Sequence, residues 1–149
     1  MEKLINRLRA DHPNLVFSPG RSHCWSPEQG QISYEQSGEN YGIEGLLHEV
    51  GHARLKHQGY ASDIELLKKE VEAWQEARQI AKLYGVAFDE GHMQDCLDTY
   101  RDWLYKRSIC PTCLSTGVQK EEQHYYCLNC THRWHVSQAR FKRPYRRSA

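Results

Sequence analysis

The chain has 149 residues, 39% of them hydrophobic, with 20 Lys and Arg against 19 Asp and Glu, and a mean hydropathy of -0.82. That length suits one compact domain plus a small module, and the recurrence of Leu, Ile, Val, Trp and Tyr argues against disorder. No apolar run approaches the ~20 residues that span a bilayer, and the opening Met1-Glu2-Lys3-Leu4-Ile5-Asn6-Arg7 has no signal-peptide core, so a cytoplasmic protein with no membrane partner is expected.

Leu4, Ile5 and Leu8 recur at helical spacing over residues 2–11 and predict a first helix. Leu15-Val16-Phe17 reads as a short strand ended by the turn residues Ser18-Pro19-Gly20. Residues 18–30, rich in Pro, Gly and Ser, read as a loop. Gln31 to Glu35 alternates, with Ile32 and Tyr34 on one face, as an exposed edge strand would. Apolar residues from Ile43 through Leu46, Leu47 and Val50 to Ala53 keep a helical period to about His57, and Gly59 is a plausible stop. The next helix opens at Ser62-Asp63-Ile64-Glu65, a capping box in which Ser62 and Glu65 satisfy each other's backbone amides, and runs to about Tyr84. A last long helix spans about Asp89 to Lys106, with Met93, Cys96, Leu97, Tyr100 and Leu104 inward.

The chemistry centres on His48-Glu49-Val50-Gly51-His52. Residues four apart on a helix lie one above the other, so both imidazoles reach one zinc ion. Glu49 sits beside them, placed to hold a zinc-bound water and take its proton. Zinc brings the pKa of such a water to about 7. Three fixed positions also arise in helices that bind nothing; here the motif lies on an amphipathic helix, a strand precedes it and a third ligand follows it. A catalytic zinc commonly takes three protein ligands and leaves one position open. Glu70 and Glu72 compete for the third place. With Leu67, Val71, Trp74, Ala77 and Ala81 as the apolar stripe, Glu70 flanks the buried face, while Glu72 falls with Lys68, Lys69, Gln75, Glu76 and Gln79 toward solvent. An inward carboxylate needs a partner or a metal, which favours Glu70; the alternative is a salt bridge to a Lys or Arg.

His48-Glu49-Val50-Gly51-His52 followed by Glu70-Val71-Glu72-Ala73 resembles the gluzincins, among them the small ImmA/IrrE-type metallopeptidases and minigluzincins, over about residues 14–85. Those proteins pair an HExxH helix with an ExxA helix beside a small sheet. The resemblance implies His48, His52 and Glu70 as zinc ligands and Glu49 as catalytic base. In one respect the chain departs: the position four after the ligand glutamate, often Asp or Asn in such enzymes, is Trp74, so something else must orient the ligand histidines. An HExxH domain with a C-terminal zinc ribbon is also similar in layout to the SprT-type proteases, which use a third histidine; His57 is too close to His52 for that place. His57, Tyr60, His92 and Tyr100 are candidates to stabilise an oxyanion, and Cys24 is a candidate blocking thiolate, though for each a structural role is the simpler reading.

Of six cysteines, Cys110-Pro111-Thr112-Cys113 and Cys127-Leu128-Asn129-Cys130 form two CxxC pairs thirteen residues apart. Two such knuckles hold one zinc tetrahedrally, in a closed, structural site without which so short a segment would hardly fold. After Glu122 come Arg133, Arg140, Lys142, Arg143, Arg146 and Arg147 with no acid to balance them, leaving 14 basic residues against 19 acidic ones before. Tyr125, Tyr126, Trp134, Phe141 and Tyr145 are interleaved with these, a pattern suited to stacking on bases and contacting phosphates.

The expectation is therefore an α+β protein. A small, mostly antiparallel sheet packs on HExxH and ExxA helices in a metallopeptidase domain (1–107), followed by a zinc ribbon (108–137) and a basic tail (138–149). One catalytic and one structural zinc serve hydrolysis of a protein or peptide substrate laid along the Gln31–Glu35 strand. Nucleic acid is a candidate partner of ribbon and tail. The rival is a nucleic-acid adaptor whose HExxH site holds zinc without turnover; a third reading is a regulator that cleaves one repressor or itself.

Overall fold

A computed structural model describes residues 1–36 and 42–138, and the backbone of 146–148. Four helices and two small sheets make it an α+β protein: α1 (Glu2–Asp11), β1 (Val16–Gly20), β2 (Cys24–Ser26), β3 (Gln31–Glu35), α2 (Gly42–Arg54), α3 (Asp63–Tyr84), α4 (Glu90–Ser108), β4 (Val118–Glu121), β5 (His124–Tyr126), β6 (Arg133–Val136) and β7 (Arg146–Ser148). No helix among the described residues is long and apolar enough to cross a membrane. The chain divides into two compact units, Met1–Gly59 with Lys69–Met93, and Tyr60–Lys68 with Gln94–Ala149.

In the first unit the sheet order is β1-β3-β2, with β1 parallel to β3 over five residue pairs and β2 antiparallel to β3 over three. Two expectations are corrected here. The sheet is mixed rather than mostly antiparallel, and Gln31–Glu35 is its central strand. The alternation that buries Ile32 and Tyr34 reports which face is covered, not whether the backbone has neighbours on both sides. The segment read as a loop supplies β2 and the end of β1, where Pro19 sits on an outer strand that can spare its missing N–H. Leu46, Leu47 and Val50 are fully buried on α2, which lies against β2 and β3. Ala73, Ala77, Ile80 and Ala81 are fully buried on α3. A Cβ on Gly51 would stand 2.5 Å from the Ala73 carbonyl oxygen, so α2 and α3 approach backbone to backbone there.

In the second unit α3 starts with a variant of the expected capping box. The Glu65 N–H donates to Ser62 Oγ at 3.2 Å, but the Glu65 carboxylate reaches back to the Ala61 N–H at 2.8 Å, one residue earlier. Asp63, 2% exposed, takes the Arg107 Nε–H at 2.6 Å and the Tyr125 hydroxyl. Burial, and then that donation to Asp63, push the Tyr125 phenol well above its ordinary pKa. Arg107, 1% exposed, lies 4.2 Å from the Trp103 ring centre, donates to the Ser137 carbonyl, and offers its own carbonyl to the Trp134 indole N–H. Buried polar groups in such a network leave few hydrogen-bonding positions open. Cys110, Tyr125, Cys127, Trp134 and Val136 form the ribbon core, and the sheet order β4-β5-β6-β7 is antiparallel throughout. Its last strand draws residues 146–148 from the expected tail.

Candidate metal centres

Two groups of side chains among the described residues could hold a metal ion: His48, His52 and Glu70, and the four paired cysteines. The first grows from helix geometry. His48 and His52 rise one turn apart on α2, their Nε2 atoms 3.1 Å from each other. The close pass of Gly51 against Ala73 brings α3 near enough for Glu70 to reach both, Oε2 at 3.1 Å from His48 Nε2 and Oε1 at 3.7 Å from His52 Nε2. Glu70 is 6% exposed. Among the described residues its ion partners are the two histidines, with no Lys or Arg. Burial alone would raise its pKa, but the hydrogen bonds from His48 and His52 overcome that and hold it far below the usual carboxylate range. Glu72 is not in this group; its side chain is 58% exposed and meets His57 instead.

Glu49 is half-buried beside this cluster. Its Oε2 accepts the Trp25 backbone N–H at 2.7 Å, so that N–H points away from the β3 ladder. The Trp25 indole N–H donates to the His57 carbonyl at 2.9 Å. His23, two residues earlier, lays its ring against Gly45, whose added Cβ would meet it at 2.7 Å. Burial lowers the His23 pKa, against the opposing pull of Glu49.

Around the histidines, Trp74 stacks on His48 with centroids 4.4 Å apart and 28° between planes. Trp74 therefore holds the ring by its face. His48 Nδ1 is buried without a hydrogen-bond partner among the described residues. His52 Nδ1 stands 2.9 Å from His57 Nδ1, and His57 Nε2 stands 3.2 Å from Glu72 Oε2. Burial, then the neighbouring His52, lower the His57 pKa, partly offset by Glu72. Of the other oxyanion candidates, His92 lies edge-on to Trp74 and 3.9 Å from Glu44, and Tyr60 and Tyr100 belong to the second unit. Cys24 is exposed on β2; partial desolvation of its thiol, and then the nearby Glu49, raise its pKa.

The cysteine group is built from two matching turns. The Cys110 N–H bonds to the Ser115 carbonyl and the Leu114 N–H to the Cys110 carbonyl; the Cys127 N–H bonds to the His132 carbonyl and the Thr131 N–H to the Cys127 carbonyl. Leu114 (φ 62°) and Thr131 (φ 60°) take the left-handed position in each. The Sγ atoms of Cys110 and Cys130 are 3.6 Å apart and those of Cys113 and Cys127 3.4 Å. That is too far for a disulfide and close to the ~3.8 Å between tetrahedral ligands at ~2.3 Å from zinc. The Ser115 N–H, then the Asn129 amide, push the Cys113 thiol down to about 5, favouring the thiolate a metal needs.

Of the aromatics read as base-stacking candidates, Tyr125 (4% exposed) and Trp134 (0%) are ribbon core, a correction: alternation along β5 and β6 turns them inward and leaves Tyr126 and Arg133 on the other face. Arg133 lies 5.9 Å from the Tyr126 ring centre and Lys120 5.1 Å. Arg140, Phe141, Lys142, Arg143 and Tyr145 lie outside the described residues; Arg146 and Arg147 are described only as backbone of β7. Sequence reading missed Trp25, whose three-residue strand is too short to show a period, and the contact of His57 with His52, for which its place just beyond the helix was the available signal. No protein-family model, curated protein or solved structure matches the chain.

Proposed function

We propose that the chain is a zinc metallopeptidase of gluzincin type, with His48, His52 and Glu70 holding the catalytic metal, Glu49 as general base, and the four cysteines holding a second, structural zinc. The observation that carries this reading is the convergence of His48, His52 and Glu70 with Glu49 alongside. The donor set fits the ion: two imidazole nitrogens and one carboxylate suit a zinc with an open position, and a dication would satisfy a buried glutamate whose ion partners among the described residues are otherwise histidines. Zinc bound there supplies Lewis acidity, polarising a scissile carbonyl and acidifying water. Glu49 takes the proton of the attacking water and passes it to the leaving amine. Since Gln31–Glu35 is flanked on both sides, the strand that accepts an extended substrate is β2, which Glu49 meets through the Trp25 N–H.

Elemental mass spectrometry on wild type and His48→Ala tests the metal centre. Two zinc ions in wild type and one in the variant are expected, and one in both, unchanged by added zinc, overturns the reading. Glu49→Gln is then expected to keep both metals and lose peptide cleavage. A second reading has one observation in its favour, the Tyr126 ring flanked by Lys120 and Arg133 on the ribbon sheet. A nucleic-acid adaptor would bind single strands through that face, lose affinity in Tyr126→Ala, and be indifferent to Glu49→Gln.

A further inference from the structure

We infer that His57 and Glu72 are positioning residues that fix the tautomer of His52 and so present its Nε2 lone pair to the metal; this rests on the metallopeptidase reading above. The helix end delivers His57 to that place. The Lys56 N–H bonds to the Ala53 carbonyl at 3.1 Å and the His57 N–H to the His52 carbonyl at 3.0 Å, with Lys56 left-handed at φ 55°. This is a Schellman closure, and it turns the chain back so that His57, 9% exposed, meets the residue one turn earlier. The Trp25 indole then holds the His57 carbonyl.

The chemistry of the three groups gives the chain a direction. Glu72, as a carboxylate, only accepts, so the proton on His57 resides on Nε2, 3.2 Å away. A neutral imidazole has one N–H, which leaves His57 Nδ1 bare to accept from His52 Nδ1 at 2.9 Å. His52 must then hold its proton on Nδ1, and its Nε2 is left with a lone pair, 3.1 Å from His48 Nε2 and 3.7 Å from Glu70. A carboxylate on a histidine on the ligand histidine does in two steps what a directly bonded carboxylate does in one. Stability is a poor account of the arrangement, since a hydrogen bond to a carboxylate 58% exposed to solvent contributes little.

Zinc affinity at the histidine centre of the full chain, measured by competition with a chromophoric chelator while the ribbon stays loaded, tests this together with nitrogen NMR shifts of His52 in the zinc-free centre. His57→Ala is expected to weaken zinc by about 10–100-fold and to populate both His52 tautomers. His57→Asn, whose amide oxygen can replace Nδ1 as acceptor, is expected to restore most of the affinity. Glu72→Ala, at an exposed position that leaves the fold intact, is expected to cost about tenfold, the low end of that range. Wild-type affinity and a single His52 tautomer in both His57→Ala and Glu72→Ala would overturn the inference. If wild type takes up no zinc at this centre, the metallopeptidase reading falls, and the His52 tautomer comparison alone decides the role of His57.

Discussion

Gly51 lies between the two histidines of the motif, and the packing makes a sharp demand on it. An added Cβ would stand 2.5 Å from the Ala73 carbonyl oxygen, where ordinary contact begins near 3.4 Å, so α2 and α3 would have to part by close to 0.9 Å along that line. The obstacle is backbone and cannot rotate away, which puts the overpacking cost at the upper end of the usual range, about 3 kcal/mol. The methyl gains back about 1 kcal/mol of helix propensity over glycine. The net loss for Gly51→Ala is about 2 kcal/mol, a fall in Tm of roughly 4–8 °C for a chain of this size. Glu70 would retreat with its helix by several times the ~0.2 Å tolerance of a metal–ligand distance, so zinc at the histidine centre should weaken while the ribbon keeps its own. Gly45→Ala, on the same helix, supplies the contrast. Its Cβ meets the His23 ring, a side chain that can swing aside, and its Tm should stay near wild type. Calorimetry and metal content on the two variants decide the matter; a Gly51→Ala protein that melts with wild type and retains both metals would refute the packing argument.

Arg107→Met should cost about 3–5 kcal/mol in denaturant unfolding, because it strands the buried Asp63 carboxylate, and adding Asp63→Leu should recover part of that loss. Cys127→Ser should release the ribbon zinc and unfold the segment it closes, seen as lost near-ultraviolet dichroism of Trp134, with the histidine centre still loaded. Tyr84 has its pKa raised to about 12, by burial and then by donation to Asp11. The fold thus favours the neutral phenol. Its contribution is complete below the unfolded value near 10 and is lost as pH rises from there through about 12. Tyr84→Phe should lack this step in unfolding measured against pH, while other alkaline losses remain.

The local signals in the sequence proved to be those enforced by short-range geometry. Helix phase turned Glu70 inward and Glu72 outward; of the expected stripe, Trp74, Ala77 and Ala81 are buried, while Leu67 and Val71 are half-buried and Ala73, outside the stripe, is fully buried. The CxxC spacing brought four sulfurs together because each knuckle is closed by its own hydrogen bonds. What depended on partners distant in the chain was not legible. The parallel pairing of β1 with β3 leaves no mark on either strand alone, and the half-polar face of β3 disguised a central strand as an edge. Tyr125 and Trp134 looked like Tyr126 by type, and only strand register separates core from surface.

Trp25, a single residue in a three-residue strand, grips two parts of the site by different atoms. Its backbone N–H holds Glu49 and its indole N–H holds the His57 carbonyl, so β2 fixes both the proposed base and the residue that orients His52. The two grips can be separated, since Trp25→Phe keeps the backbone donor and removes the indole one. A hydrogen bond of this kind contributes about 1 kcal/mol, which corresponds to roughly fivefold in an equilibrium constant. Zinc affinity at the histidine centre should therefore fall about fivefold or less in Trp25→Phe, with the Glu49 contact kept. If the variant instead matched His57→Ala in full, the aromatic body of Trp25 and not its N–H would be what holds His57 in place. If it matched wild type, the Schellman closure alone would suffice to bring His57 to His52, and the role of β2 would be confined to the proposed base and substrate.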